Sequence, residues 1–128
     1  MSNKDNINTL SDKIYGLIDY RFKNSNLLIE SLTHKSISTT NYERLEFLGD
    51  AVLQLIITEN LYKKYNSIDE GCLSREKQSI VSKKTISKIS LDLGLVNFLI
   101  SKNIDLNSSI SLKNTIAANM IESLIGAV

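Results

Sequence analysis

The run Asn41-Tyr42-Glu43-Arg44-Leu45-Glu46-Phe47-Leu48-Gly49-Asp50-Ala51-Val52-Leu53 decides how the chain is read. With about 100° of turn per residue, Glu43, Glu46 and Asp50 fall within roughly 60° of one another on a helix. Leu45, Leu48, Val52, Leu55 and Ile56 gather on the opposite side. The pattern predicts a long amphipathic helix from about Tyr42 to Tyr65, with a polar face that is locally all acid. Carboxylates at such spacings repel, by about a few tenths of a kcal/mol per pair on an open helix. A hard divalent cation turns that repulsion into binding, because Mg²⁺ favours carboxylate and water oxygens. The plain alternative is a solvated stripe. Gly49 lowers helix stability by about 1 kcal/mol relative to Ala, which points to close approach by another element or a ligand. Phe47 lies at the edge of the acid stripe, where it serves either as an interface residue or as a side chain covered by a neighbouring loop.

Outward from this run, the 128 residues contain no proline and five glycines. So few breakers, with apolar residues at helical spacing, argue for an all-helical single domain. The expected helices are Leu10 to Ile18, Ser25 to Leu32 with Asn24 or Ser25 as N-cap, Leu73 to Ser82, and Lys84 to Leu93 stopped by Gly94. A short helical piece follows at Leu95 to Ile100. A last helix starts near Leu112 or Lys113 and is still running at Val128, as in a piece cut from a longer protein. Residues 1–9 read as a flexible tail without the apolar segment of a secretory signal. In the last helix Asn119 and Glu122 share one side, opposite Ala117, Ile121, Leu124 and Val128. That polar pair becomes a site only if it packs beside Glu43, Glu46 and Asp50.

Composition excludes more than it assigns. The hydrophobic fraction of 42% can fill a core without staples. Cys72 is the only cysteine, so neither a disulfide framework nor a cysteine-rich zinc site is available, which fits a reducing, cytoplasmic setting. No apolar run reaches the length of a membrane span. Fifteen basic residues against 14 acidic ones leave a net charge of +1, so any phosphate-binding surface must come from local segregation of charge. Arg75, Lys77, Lys83 and Lys84 are the candidates. His34, the only histidine, is assigned to loop packing rather than to catalysis.

The stretch Glu43 to Leu53 resembles the hallmark motif of the ribonuclease III family along its whole length. Leu32-Thr33-His34-Lys35-Ser36, Asp69-Glu70-Gly71, Leu73-Ser74-Arg75 and Glu122-Ser123-Leu124-Ile125-Gly126-Ala127 resemble further family segments in the same order. The resemblance, covering about Tyr20 to Val128, implies an all-α endonuclease domain, a two-fold homodimer and a double-stranded RNA substrate. It implies metal-assisted cleavage to 5′-phosphate products, with Mg²⁺, or Mn²⁺ in its place. By the same resemblance Glu43, Glu46, Asp50 and Glu122 are catalytic. Glu46, Asp50, Asn119 and Glu122 form the metal set, Glu70 is a further acid in the cleft, and Phe47 plugs into the partner subunit. Asn119 departs from the pattern, which has Asp there. An amide offers one neutral oxygen but no charge, which leaves three readings open: a variant with retained activity, a binding-only relative that is ribosome-associated or RNA-bound, or an inactivating substitution. The double-stranded-RNA-binding domain that many relatives carry is not in this sequence.

Overall fold

A computed structural model describes residues 2–128. It contains six α-helices: α1 (Asn3–Ile18), α2 (Ser25–Leu32), α3 (Glu43–Lys64), α4 (Glu70–Ile80), α5 (Lys83–Leu93) and α6 (Ile110–Ala127), with a 3-10 helix at Leu95–Phe98. Among the described residues there is no strand. A lone parallel bridge joins Thr33 to Ile100, where the His34 N–H donates to the Ile100 carbonyl at 2.8 Å.

Five helix starts are set by side chains that accept from otherwise orphaned backbone N–H groups: Ser2, Asn24, Asp69, Ser82 and Ser109. Each such cap is worth about 1 kcal/mol. Gly94, at φ 74°, ends α5 in the left-handed conformation that glycine tolerates best. Three starts differ from the sequence expectation. Ser2 and Asp5 form a capping box that starts α1 at Asn3, so the segment expected to be a flexible tail is helical from Asn3 onward. Asp69 starts α4 at Glu70, which draws Glu70 and Gly71 out of the expected turn. Ser109 starts α6 at Ile110, two to three residues early.

The apolar face of α6 is the spine of the fold. Ile116, Ala117, Met120 and Leu124 are buried in it, and α3, α5 and α2 all pack on it. Ile14, Leu28, Leu32 and Leu95 complete the core at full burial, each contributing about 1.5–3 kcal/mol through removal from water. A buried hydrogen bond from the Ser123 hydroxyl to the Ser31 carbonyl, at 2.6 Å, ties α6 to α2.

The largest helix contact is that of α3 with α6, and two glycines make it close. A Cβ on Gly49 would overlap the Glu122 carbonyl, and one on Gly126 would overlap the Leu45 carbonyl. The close approach expected at Gly49 is therefore the backbone of α6.

The apolar side of α3 is only partly core. Leu45 and Leu61 are buried, but Leu48, Leu55 and Ile56 are about half exposed or more. Hydrophobicity requires removal from water, not removal into the same subunit, so this side of α3 is left with exposed apolar surface.

Candidate active site

The crossing at Gly49 and Gly126 sets where the acids meet. Glu46 and Asp50 stand on α3 on either side of Gly49, and the backbone of Glu122 on α6 packs against that glycine. Burial, then the charges of Asp50 and Glu46, push the Glu122 carboxyl up to about 7. Glu46 is raised as well, by burial first and then by Glu43 and Asp50. Glu122 on α6 thus senses Glu46 and Asp50 on α3, a helix from a distant part of the chain, while Glu43 acts on Glu46 within α3.

Among the described residues no lysine or arginine forms an ion pair with any of these four; the ion pairs present are Arg21–Asp12, Lys63–Glu59 and Lys88–Asp92. Excess negative charge is left uncompensated in a partly desolvated place, where it is most unfavourable. The donors are all oxygens on carboxylates, the chemistry a hard divalent cation selects. The set therefore fits such an ion in kind. It is not closed around a point: among the described residues no three acid, histidine or cysteine side chains converge as they would on a bound ion.

Asn119 lies in the same cluster, one turn before Glu122. Its amide nitrogen donates to Glu46 Oε1 at 3.2 Å and to the Thr115 carbonyl at 3.1 Å. The orientation follows from these partners, since both can only accept. Burial raises the pKa of the neighbouring Tyr42, with Glu46 and Glu43 adding to the shift. Tyr42 is 3% exposed and meets the His34 ring edge-to-face at 5.7 Å. His34 Nδ1 accepts from the Ser36 backbone N–H at 3.0 Å, and burial lowers the His34 pKa. The histidine packs the loop before α3, in keeping with its sequence assignment.

The remaining candidates lie apart from the cluster. Glu70 begins α4, accepts from the Ser74 hydroxyl at 3.0 Å and lines a cavity of about 240 Å³ with Thr58, Tyr62 and Lys77. Neither Glu46 nor Glu122 has its charge state perturbed by Glu70. Arg75 Nη2 lies 3.1 Å from Cys72 Sγ. Lys83 and Lys84 line a groove of about 640 Å³ between α5 and the start of α6, with Lys88, Ser111 and Asn114. Lys83 Nζ donates to the Thr115 hydroxyl, which places a cation one helical turn from Asn119. Phe47 is 83% exposed, away from the core, beside a groove lined by Glu30, Glu43, Arg44 and Leu48.

Sequence reading missed one member of the site, Thr115; Tyr42, a core residue, borders it. Thr115 had one usable signal: it stands four residues before Asn119 and seven before Glu122, on the same face of α6.

The sequence profile of a family described as ribonuclease-III-like matches residues 24–128. Ribonuclease 3 of Campylobacter fetus is 41% identical over 125 residues, covering 97% of this chain and 54% of that protein. Ribonuclease 3 of Wolinella succinogenes is 43% identical over 112 residues, covering 87% of this chain and 47% of that one. The chain thus spans about half the length of the curated relatives it matches. Among solved structures, the nuclease domain of ribonuclease III from Campylobacter jejuni, described with flexibility in a region involved in dimer formation, superposes with a TM-score of 0.82. It is 40% identical, over 90% of this chain and 81% of that one. Dicer from Pichia stipitis gives a TM-score of 0.63 at 29% identity, over 84% of this chain and 45% of that one.

Proposed function

Given that the chain belongs to the ribonuclease III family, we propose that it catalyses endonucleolytic hydrolysis of double-stranded RNA with a divalent metal ion, as a homodimer. The observation that supports this reading is the α3–α6 crossing, where the charges of Glu46 and Asp50 reach Glu122 and, among the described residues, none of the three acids is in an ion pair. Family membership supports dependence on a divalent metal; Mg²⁺, with Mn²⁺ as substitute, is the proposed ion. Glu46, Asp50 and Glu122 would hold it, with the neutral amide of Asn119 beside Glu46. When bound, the ion polarises a water molecule and offsets charge on the leaving oxygen.

The protein's own groups do the rest. Gly49 and Gly126 fix the two helices at the distance that keeps the carboxylates together. Glu43, exposed at the start of α3 beside Glu46, is placed to orient the attacking water. Lys83, Lys84, Arg75 and Lys77 supply cations for backbone phosphates, the groups that dominate recognition of an RNA duplex. In the reaction the water oxygen bonds to phosphorus as the bond from phosphorus to the 3′ oxygen breaks. One water proton passes to solvent through the carboxylates, the leaving 3′ oxygen takes up another, and the phosphate stays on the 5′ end.

The dimer reading draws on α3. Phe47, Leu48, Leu55 and Tyr62 are between half and four-fifths exposed and fall within about 100° of one another around the helix. A contiguous apolar stripe of this kind is what one subunit of an obligate pair presents when alone. Glu70, at the start of α4 just beyond the far end of the helix that carries Glu46, would join the cleft through the second subunit. A cytoplasmic location follows the proposed RNA substrate; no helix among the described residues is long and apolar enough to cross a membrane.

The test is incubation of long duplex RNA with the protein and Mg²⁺, beside an Asn119→Asp variant. Fragments bearing 5′ phosphates from the unaltered protein support the proposal. Cleavage by the variant alone would mark a site weakened by the amide. Binding without cleavage by either would favour a binding-only scaffold.

A further inference from the structure

The amide of Asn119 does not present its oxygen to Glu46. Both groups beside its nitrogen, Glu46 Oε1 at 3.2 Å and the Thr115 carbonyl at 3.1 Å, are acceptors only. The nitrogen must face them, and the oxygen is turned to the other side of the amide plane. Thr115 is itself pinned: its hydroxyl accepts from Lys83 and donates to the Ser111 carbonyl at 2.9 Å. Glu46, meanwhile, is the most crowded acid of α3, with Glu43 and Asp50 on its own helix and a partly buried position. The Asn119 amide is the donor given to that carboxylate from the facing helix. A carboxylate at position 119 would reverse the interaction, adding another negative charge against Glu46 and leaving the cluster dependent on a bound cation.

We propose that Asn119 is a positioning residue that acts through Glu46: its amide nitrogen holds the Glu46 carboxylate and keeps the acid cluster assembled in the metal-free protein. The inference deepens the proposed metal site and rests on it for its role in catalysis, but the contact itself exists without metal or RNA. A hydrogen bond to a charged acceptor is among the stronger ones, and here it partly offsets a repulsion that a carboxylate could relieve only through a cation. The site is thereby made less dependent on metal for its geometry, and its fourth member holds an anion in place rather than ligating the ion.

The experiment is a double-substitution cycle in EDTA, read as thermal unfolding of the unaltered protein, Asn119→Ala, Glu46→Ala and the pair. Asn119→Ala is expected to lower Tm by about 4 °C, and by less than half as much in the Glu46→Ala background. Equal losses in both backgrounds would overturn the proposal. A second measurement stands if the paired variant does not fold. Asn119→Asp should melt below the unaltered protein in EDTA and gain more in Tm from saturating Mn²⁺ than the unaltered protein does. An Asn119→Asp protein as stable in EDTA as the unaltered one, or a gain from Mn²⁺ no larger than the unaltered protein's, would also overturn it. Neither readout uses RNA, so failure of the nuclease reading and failure of this inference are separable.

Discussion

Gly49 lies against the carbonyl of Glu122 so closely that a single methyl group on Gly49 would overlap it. One residue belongs to the helix that carries Glu46 and Asp50; the other supplies the acid from the far end of the chain. The packing contact and the candidate metal site are thus the same junction, and a change in one must be felt in the other.

Gly49→Ala and Gly126→Ala should each destabilise the protein despite the better helix propensity of alanine. Propensity favours the change by about 1 kcal/mol, while overpacking a close helix crossing costs about 3 kcal/mol or more when backbone must move. Chemical denaturation should show a net loss of about 2 kcal/mol, together with loss of nuclease activity. A variant as stable as the parent would mean that the helices can separate freely.

The pH dependence of the metal-free protein has a defined sign. Glu122 ordinarily titrates near 4.5 and is raised to about 7 in the fold. In this window the folded state holds a proton that the unfolded state releases, so stability falls as pH rises. The stabilising contribution is whole below about pH 4.5 and is lost by the time pH passes about 7. In EDTA, Tm should decline between pH 5 and 7.5 by more in the unaltered protein than in Glu122→Gln, which has no proton to lose. Parallel profiles would place the titrating group elsewhere.

Phe47→Ala tests the exposed stripe of α3. Phe47 is 83% exposed and lies outside the core, so its loss should leave the fold of one subunit unchanged. Sedimentation should shift toward monomer, with dimer association weakened by about tenfold or more, as expected for an aromatic anchor at the centre of an interface. An unaltered mass distribution would show that the stripe faces something other than a second copy.

Lys83→Ala and Lys84→Ala should weaken binding of duplex RNA across sequences and reduce the salt dependence of binding, each by about one phosphate's worth of released counterion. Filter binding at several salt concentrations measures this. Loss of affinity with no change in slope would assign these lysines to folding rather than to phosphate contact.

Much of this architecture was legible from spacing. The acid stripe of α3 and the pairing of Asn119 with Glu122 follow from helical periodicity, because residues three, four and seven apart share a face in any α-helix, and the close approach at Gly49 follows from a glycine kept inside a helix despite its poor propensity. Two kinds of feature were not legible. Residues 3–9 carry no apolar period, and their helix rests on the capping box of Ser2 and Asp5, a local device that propensity underweights. The orientation of the Asn119 amide depends on Glu46 and Thr115 together, and no spacing within one helix reveals which of its two atoms faces an anion. Leu48 and Leu55 show a third limit: an apolar face is legible in the sequence, but not which molecule will cover it.

The central claim is that Glu122 joins Glu46 and Asp50 around one divalent ion, and calorimetric titration of the metal-free protein with Mn²⁺ tests it most directly. The unaltered protein should show a saturable site, and Glu122→Gln, folded by circular dichroism, should bind at least about tenfold more weakly because a charged oxygen ligand is gone. Equal binding by the two proteins, or no saturable site in either, would contradict the claim.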